Sequence, residues 1–192
     1  MSKQHPTSRQ AVLIGLAAVS LVSCAAVPPA GAVDPRSPGA LVEDVRRATR
    51  MFQDVAAARA AGYAPFLGCV SGPEQGAMGL HFVNGDLVGD GVLDPARPEA
   101  LMYEPKDGRL RFVGVEYIVL ADAWNARNAS PPAMMGQVFH YTGSPNRYGI
   151  PAFYALHVWA WKQNPHGTFA DWNPTVSCDG STEALAAQET RR

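Results

Sequence analysis

The sequence is poor in cysteine, in clustered charge and in familiar catalytic signatures, and each shortage removes a class of function. Three cysteines occur in 192 residues, none in a C-x-x-C arrangement, so nothing marks a dithiol redox motif or an activated thiol. The 16 basic residues nearly cancel the 17 acidic ones. No Lys/Arg cluster forms the basic stripe on which nucleic-acid binding depends, and no nucleic-acid partner is expected. Beyond the N-terminus, no apolar run approaches the roughly 20 residues needed to span a bilayer. A P-loop, G-x-G-x-x-G, G-x-S-x-G and H-E-x-x-H are all missing, which disfavours the commonest nucleotide-binding, hydrolase and zinc-protease classes. Glycine and proline, by contrast, are plentiful at 18 and 16 residues. That balance favours a turn-rich domain with long loops over a helical bundle.

What is present begins with a leader. Residues 1–10 are polar and carry Lys3 and Arg9; residues 11–22 read AVLIGLAAVSLV without a charge. A basic start, a short apolar stretch and small residues after it match the three-part secretory signal. Leu21-Val22-Ser23-Cys24 resembles the lipobox of bacterial lipoproteins, which implies a signal peptide over residues 1–24 and a lipid on Cys24. The protein's partner would then be a membrane surface, since each buried acyl methylene contributes about 0.8 kcal/mol. Ala30-Gly31-Ala32 offers ordinary signal peptidase a competing site and would release a soluble secreted or periplasmic protein. His5 belongs to the leader.

Residues 25–36 hold three prolines among small residues and read as a flexible tether. Residues 37–181 then form one α+β domain. Ser37-Pro38 provides an N-cap followed by proline at the first helical position. Leu41, Val45, Ala48, Phe52 and Val55 recur at helical spacing and Gly62 stands at the stop, giving one amphipathic helix packed on a sheet. Strand-like runs follow at residues 80–83, 100–103, 110–120, 137–141 and 153–161. Pro105-Lys106-Asp107-Gly108 marks a hairpin turn. The expectation is a loop-rich, mostly antiparallel sheet of about five strands, with a frayed polar tail over residues 182–192. Cys69 and Cys178, left over once Cys24 is assigned to the leader, are expected to form a disulfide in an oxidising compartment.

Chemistry concentrates on Glu116. Alternation along residues 110–120 places it on one face with Leu110, Phe112, Ile118 and Leu120. A carboxylate buried there requires a proton, a cation or a metal. His81 and His157 sit in comparable apolar strands, His157 sharing a face with Phe153, Ala155, Trp159 and Trp161. Three strands giving one ligand each would build a two-histidine, one-carboxylate site for copper, zinc or iron. Met78 and Met134-Met135 add a thioether argument for copper, and His140 is a spare fourth ligand. In the competing reading the module is metal-free and structural, with Glu116 in a hydrogen-bond network or paired with Arg111 or Arg147. Trp159 and Trp161 would serve a third reading, an apolar-ligand carrier. Asp86, Asp90 and Asp94 miss the EF-hand spacing, and His166 sits in a turn.

Met78-Gly79-Leu80-His81, Val115-Glu116-Tyr117, Leu156-His157-Val158-Trp159 and Asp171-Trp172-Asn173-Pro174 resemble the motifs of an uncharacterised family of exported bacterial proteins. The likeness covers most of the domain from Gly76 onward. It implies bacterial origin and export and brings no activity with it. The leader yields the first test: radioactive palmitate should label the protein in its bacterial host, and Cys24→Ala should abolish that label. Retention of the label in the variant would refute attachment at Cys24.

Overall fold

Ser37 opens the first helix as its sequence position suggests: its hydroxyl accepts a hydrogen bond from Ala40 N at 3.2 Å, and Pro38 follows at the first helical position. The computed structural model describes residues 37–189. The expected signal peptide, Cys24, the Ala30-Gly31-Ala32 site and the expected tether lie outside the described residues. Helix α1 (Pro38–Thr49) buries Leu41 and Val45 completely. It does not run on to Gly62 as one helix. A 3-10 turn occupies Arg50–Gln53, and helix α2 (Val55–Ala60) starts afresh. Two side chains account for the break. Thr49 Oγ1 bonds back to Val45 O at 2.6 Å, a contact that bends helices. Asp54 is extended and caps Ala56 N at 2.9 Å. At the far end Gly62 N donates to Arg59 O and Tyr63 N to Ala58 O, the paired bonds of a Schellman stop.

Eight strands follow, interrupted by short helices. They are β1 (Ala64–Gly72), β2 (Gly76–Val83), β3 (Ala100–Lys106), β4 (Arg109–Leu120), β5 (Ala133–Met134), β6 (Gln137–Val138), β7 (His140–Thr142) and β8 (Phe153–Val158). Helix α3 (Gly85–Asp90) precedes β3, and α4 (Ala121–Asn125) follows β4. The main sheet has six strands rather than about five, in the order β1-β2-β3-β4-β8-β7, every pair antiparallel; β5 and β6 form a separate ribbon. The extra strand is β1, an exposed edge whose five leading residues face solvent and so show no hydrophobic alternation. The anticipated strand at residues 137–141 is split because Phe139 turns inward and is 3% exposed. Between β3 and β4, Asp107 and Gly108 both take positive φ, 51° and 67°. This is the two-residue turn whose twist matches a hairpin.

The sheet is buried on both faces by different means. One face carries Leu80, Phe82, Tyr103, Phe112, Tyr117 and Leu156 into the main core, where Leu41, Val45 and Phe52 meet them. The other face is covered by loops and holds two smaller clusters, one around Met102 and Trp159, the other around Ala100, Ile118 and Phe153. The polar tail is not frayed at its start. Helix α5 (Ser181–Glu189) packs against β3 and β4, and Ala184 is fully buried in the main core. Ala184, with Leu185 packed beside it, supplies the surface that holds it.

Cys69 on β1 is joined to Cys178, 109 residues away, across a Cα–Cα distance of 5.6 Å. The bond ties the exposed edge strand to the segment that leads into α5. A loop of this length constrains the unfolded chain strongly, so Cys69→Ser should lower unfolding free energy by up to about 4–5 kcal/mol. Urea denaturation of parent and variant measures this; equal midpoints would exclude a stabilising bond.

A second prediction concerns Glu99, which is 1% exposed. Oε2 accepts from Ile118 N at 2.9 Å, while Oε1 is buried with no partner. Burial pushes this carboxyl up to about 8, against an opposing pull from the Ile118 hydrogen bond. The folded protein therefore holds a proton that the unfolded chain releases near 4.5. This contribution to stability is complete below about pH 4.5 and is lost as pH rises through about 8. Glu99→Gln, neutral throughout, should flatten the decline and leave the variant more stable than the parent at pH 9. Urea midpoints at pH 5, 7 and 9 decide it, and parallel profiles would contradict the assignment.

Candidate metal centre

Three strands converge on one buried carboxylate. Glu116 of β4 is the direct cross-strand partner of His157 on β8. On its other side Glu116 faces Ala100 of β3, whose methyl group is short enough to let the carboxylate pass over it toward β2. There His81 Nε2 lies 3.3 Å from Glu116 Oε2, while His157 Nε2 lies 3.7 Å from Oε1. Each carboxylate oxygen thus faces one imidazole. The two rings stand 6.0 Å apart and almost perpendicular, at 87°. His81, Glu116 and His157 are 8%, 7% and 3% exposed.

The face on which they meet differs from the one simple alternation gives. Met102 pairs with Gly114 but Tyr103 pairs with Phe112, so Val113 is an extra residue in β4. This bulge reverses the phase of the strand. Leu110 and Phe112 enter the main core, whereas Glu116 and Ile118 turn to the loop-covered face. His157 does share its face with Phe153, Ala155 and Trp159, but the strand ends at Val158 and Trp161 returns to the main core.

Asp171, which sequence reasoning did not single out as a site residue, stands behind His157. Its Oδ1 is 3.3 Å from His157 Nδ1 and 3.0 Å from His140 Nδ1. His140, the spare ligand, therefore lies outside the cluster as an exposed outer partner of Asp171. The Asp171-Trp172-Asn173-Pro174 motif was the available signal. Asn173 is fully buried and bridges Ala77 through two backbone bonds of 3.1 Å. A side chain on Gly76 would sit 2.2 Å from Asn173 O, so only glycine admits this approach. The bridge pins the Asp171 loop to the strand that carries His81.

Electrostatics divide the two histidines. Burial drives the His81 pKa down, reinforced by His157 and only partly opposed by Glu116 and a backbone hydrogen bond with Gly79. Its imidazole is neutral and able to donate a lone pair. Burial acts the same way on His157, but Glu116 and Asp171 outweigh it and its pKa rises. Burial alone would raise Asp171; its hydrogen bond and charge interactions with His157, together with His140, pull it below the usual carboxylate range. Of the two imidazoles, His157, between two carboxylates, is the one whose surroundings favour the protonated form.

Neither arginine considered as a partner reaches Glu116. Arg111 lies 3.8 Å from Glu104, and Arg147 stacks on Tyr148 and Trp172. The donor set suits a transition ion. Metal–nitrogen and metal–oxygen bonds near 2.0–2.2 Å separate the ligand atoms of one ion by about 3–4 Å. One atom from each of His81, Glu116 and His157 lies within 4.8 Å of the others. His157 Nε2, 3.7 Å from Glu116 Oε1, is buried without a hydrogen bond. Asp171 behind His157 reproduces the carboxylate–histidine–metal arrangement that orients ligands.

Two cavities flank the centre. One of about 40 Å³ is walled by apolar side chains and touches His81 and Glu116. The other, about 250 Å³, reaches Glu116 and His157 and is lined by Asn146, Arg147, Asp171 and Trp172. Met78 borders both. Met134 and Met135 belong to the main core and have no part in the site. The Trp159 and Trp161 indoles serve packing, donating to Ala170 O at 2.6 Å and Thr49 Oγ1 at 3.2 Å. Asp90 and Asp94 cap local turns at Val92 N and Ala96 N. Comparison with family models, curated proteins and solved structures found no match for this chain.

Proposed function

We propose that this chain is an exported, lipid-anchored bacterial protein that binds a transition metal through His81, Glu116 and His157. Copper, zinc and iron all suit two imidazoles and a carboxylate, and the Met78 thioether at the cavity wall favours copper. The observation that carries the reading is Glu116 itself. It is 7% exposed, faces two imidazoles and has no Lys or Arg partner among the described residues. Export is supported by the charged and apolar leader, and the Cys69–Cys178 disulfide is compatible with an oxidising compartment. No described helix is long and apolar enough to cross a membrane. In this reading the lipid on Cys24 provides the membrane attachment. The resemblance to exported bacterial proteins points the same way.

An ion held at the centre supplies Lewis acidity and lowers the pKa of bound water. His81 and His157 donate lone pairs, Glu116 binds as a ligand rather than acting as a base, and Asp171 orients the His157 ring. Because His81 and His157 would bind an ion only as neutral imidazoles, affinity should rise with pH. A metal-free module, with Glu116 and a protonated His157 as a buried pair, is the competing reading and is favoured by the raised His157 pKa.

Elemental analysis of protein purified without chelator separates the two. Stoichiometric metal should be present in the parent and lost in His81→Ala, Glu116→Gln and His157→Ala. Asp171→Asn should weaken affinity by about 10–100-fold while leaving the ligand set intact. Failure of the parent to retain copper, zinc or iron, even after each is added, would establish the metal-free reading instead.

A further inference from the structure

The larger cavity beside the centre is bordered by an exposed arginine, Arg147, that the fold leaves without an anion. Arg147 lies in the loop of residues 143–152, between β7 and β8. Its guanidinium is 5.8 Å from the Trp172 ring and 6.0 Å from the Tyr148 ring. One NH2 donates to Ser71 O at 3.2 Å. None of the ion pairs among the described residues includes it. An arginine offers five N–H donors in a planar fork. Here the flanking rings and the Ser71 carbonyl hold that fork in place and leave most of its donors free. It borders the same cavity, about 250 Å³, as Glu116 and His157.

Resting on the metal reading, we propose that this cavity binds a small organic carboxylate, gripped by Arg147, with a second oxygen donor turned toward the metal. Geometry admits a carboxylate, whose two oxygens match the fork as those of a phosphate also do. Charge favours a monoanion. A divalent ion and Arg147 outweigh Glu116 and Asp171, leaving the loaded cavity net positive, while Asp171 on the same wall repels a more highly charged ligand. Volume favours a molecule of few atoms, since the cavity is smaller than the roughly 300–1,000 Å³ typical of drug-sized ligands. A 2-hydroxy acid anion meets all three conditions.

Lactate is the probe and Co²⁺ the reporter ion, because its visible absorption changes with coordination. Lactate should bind the Co²⁺-loaded protein saturably and alter that absorption. Arg147→Ala should weaken lactate binding about tenfold or more with unchanged Co²⁺ affinity and melting temperature. Arg147→Lys, which keeps charge but not the fork, should fall between. Equal lactate affinity in parent and Arg147→Ala, absence of lactate binding, or tighter binding of inorganic phosphate than of lactate would each overturn the proposal. If the parent takes up no Co²⁺, the metal reading fails separately. Calorimetric titration of lactate into the metal-free protein then judges the anchor: Arg147-dependent heat supports it, and its absence ends it.

Discussion

Everything distinctive about the loop-covered face follows from placing a carboxylate at Glu116, in the middle of a buried strand. Desolvating an ionised carboxylate costs several kcal/mol unless nearby groups stabilise the charge. Glu116 has no Lys or Arg partner among the described residues. It lies instead between two imidazoles, at 3.3 and 3.7 Å. Their neighbours are arranged accordingly: Ala100 is small enough to let the carboxylate reach β2, Asp171 backs His157, and the Asn173–Ala77 bridge holds the Asp171 loop in place. Replacement of Ala100 by a large residue would obstruct the path between Glu116 and His81.

The two faces of the sheet solve different problems. The helix-covered face is a continuous apolar core and carries the mechanical burden of the fold. The opposite face is divided into two small clusters, with the polar centre between them. Loops cover it and need fastening. The disulfide fastens β1 to the segment preceding α5, and the Asn173 bridge fastens the adjoining segment to β2. Because the loops rather than the core carry Arg147 and Asp171, the cavity wall can vary without disturbing the main packing.

The candidate ligands were legible in the sequence because a charged or polar residue inside an apolar strand is conspicuous. Glu116, His81 and His157 each broke a run of buried side chains. Their convergence was not legible, since strand order depends on long-range pairing: β8 joins β4 across more than thirty residues of loops and short elements. The phase of β4 was misjudged because one extra residue, Val113, reverses alternation, and period-two reasoning has no local signal for a bulge. Edge strand β1 was hidden for a related reason, as its exposed residues show no alternating burial. Helix α5 was read as a frayed tail because its polar surface masks Ala184, a single small residue whose burial depends on what lies opposite. Asp171 lay in a motif visible from the start, but only the folded loop shows which histidine it supports.

Three buried carboxylates among the described residues meet the same desolvation cost in three ways, and the contrast bears on function. Glu104, 4% exposed, has Lys162 Nζ 2.8 Å from Oε2 and Arg111 3.8 Å from Oε1; its charge is balanced by cations, although Oε1 accepts no hydrogen bond. Glu99 takes up a proton, its pKa pushed up to about 8, and so presents no anion near neutral pH. Glu116 is the one whose neighbours are themselves donors of lone pairs. A lysine partner excludes a metal by charge, and a bound proton occupies the oxygen a metal would need. Two imidazoles do neither, since in its neutral form each offers a nitrogen lone pair. Of the three solutions, only the arrangement at Glu116 sets a buried carboxylate beside two imidazoles, the donor set that a transition ion takes.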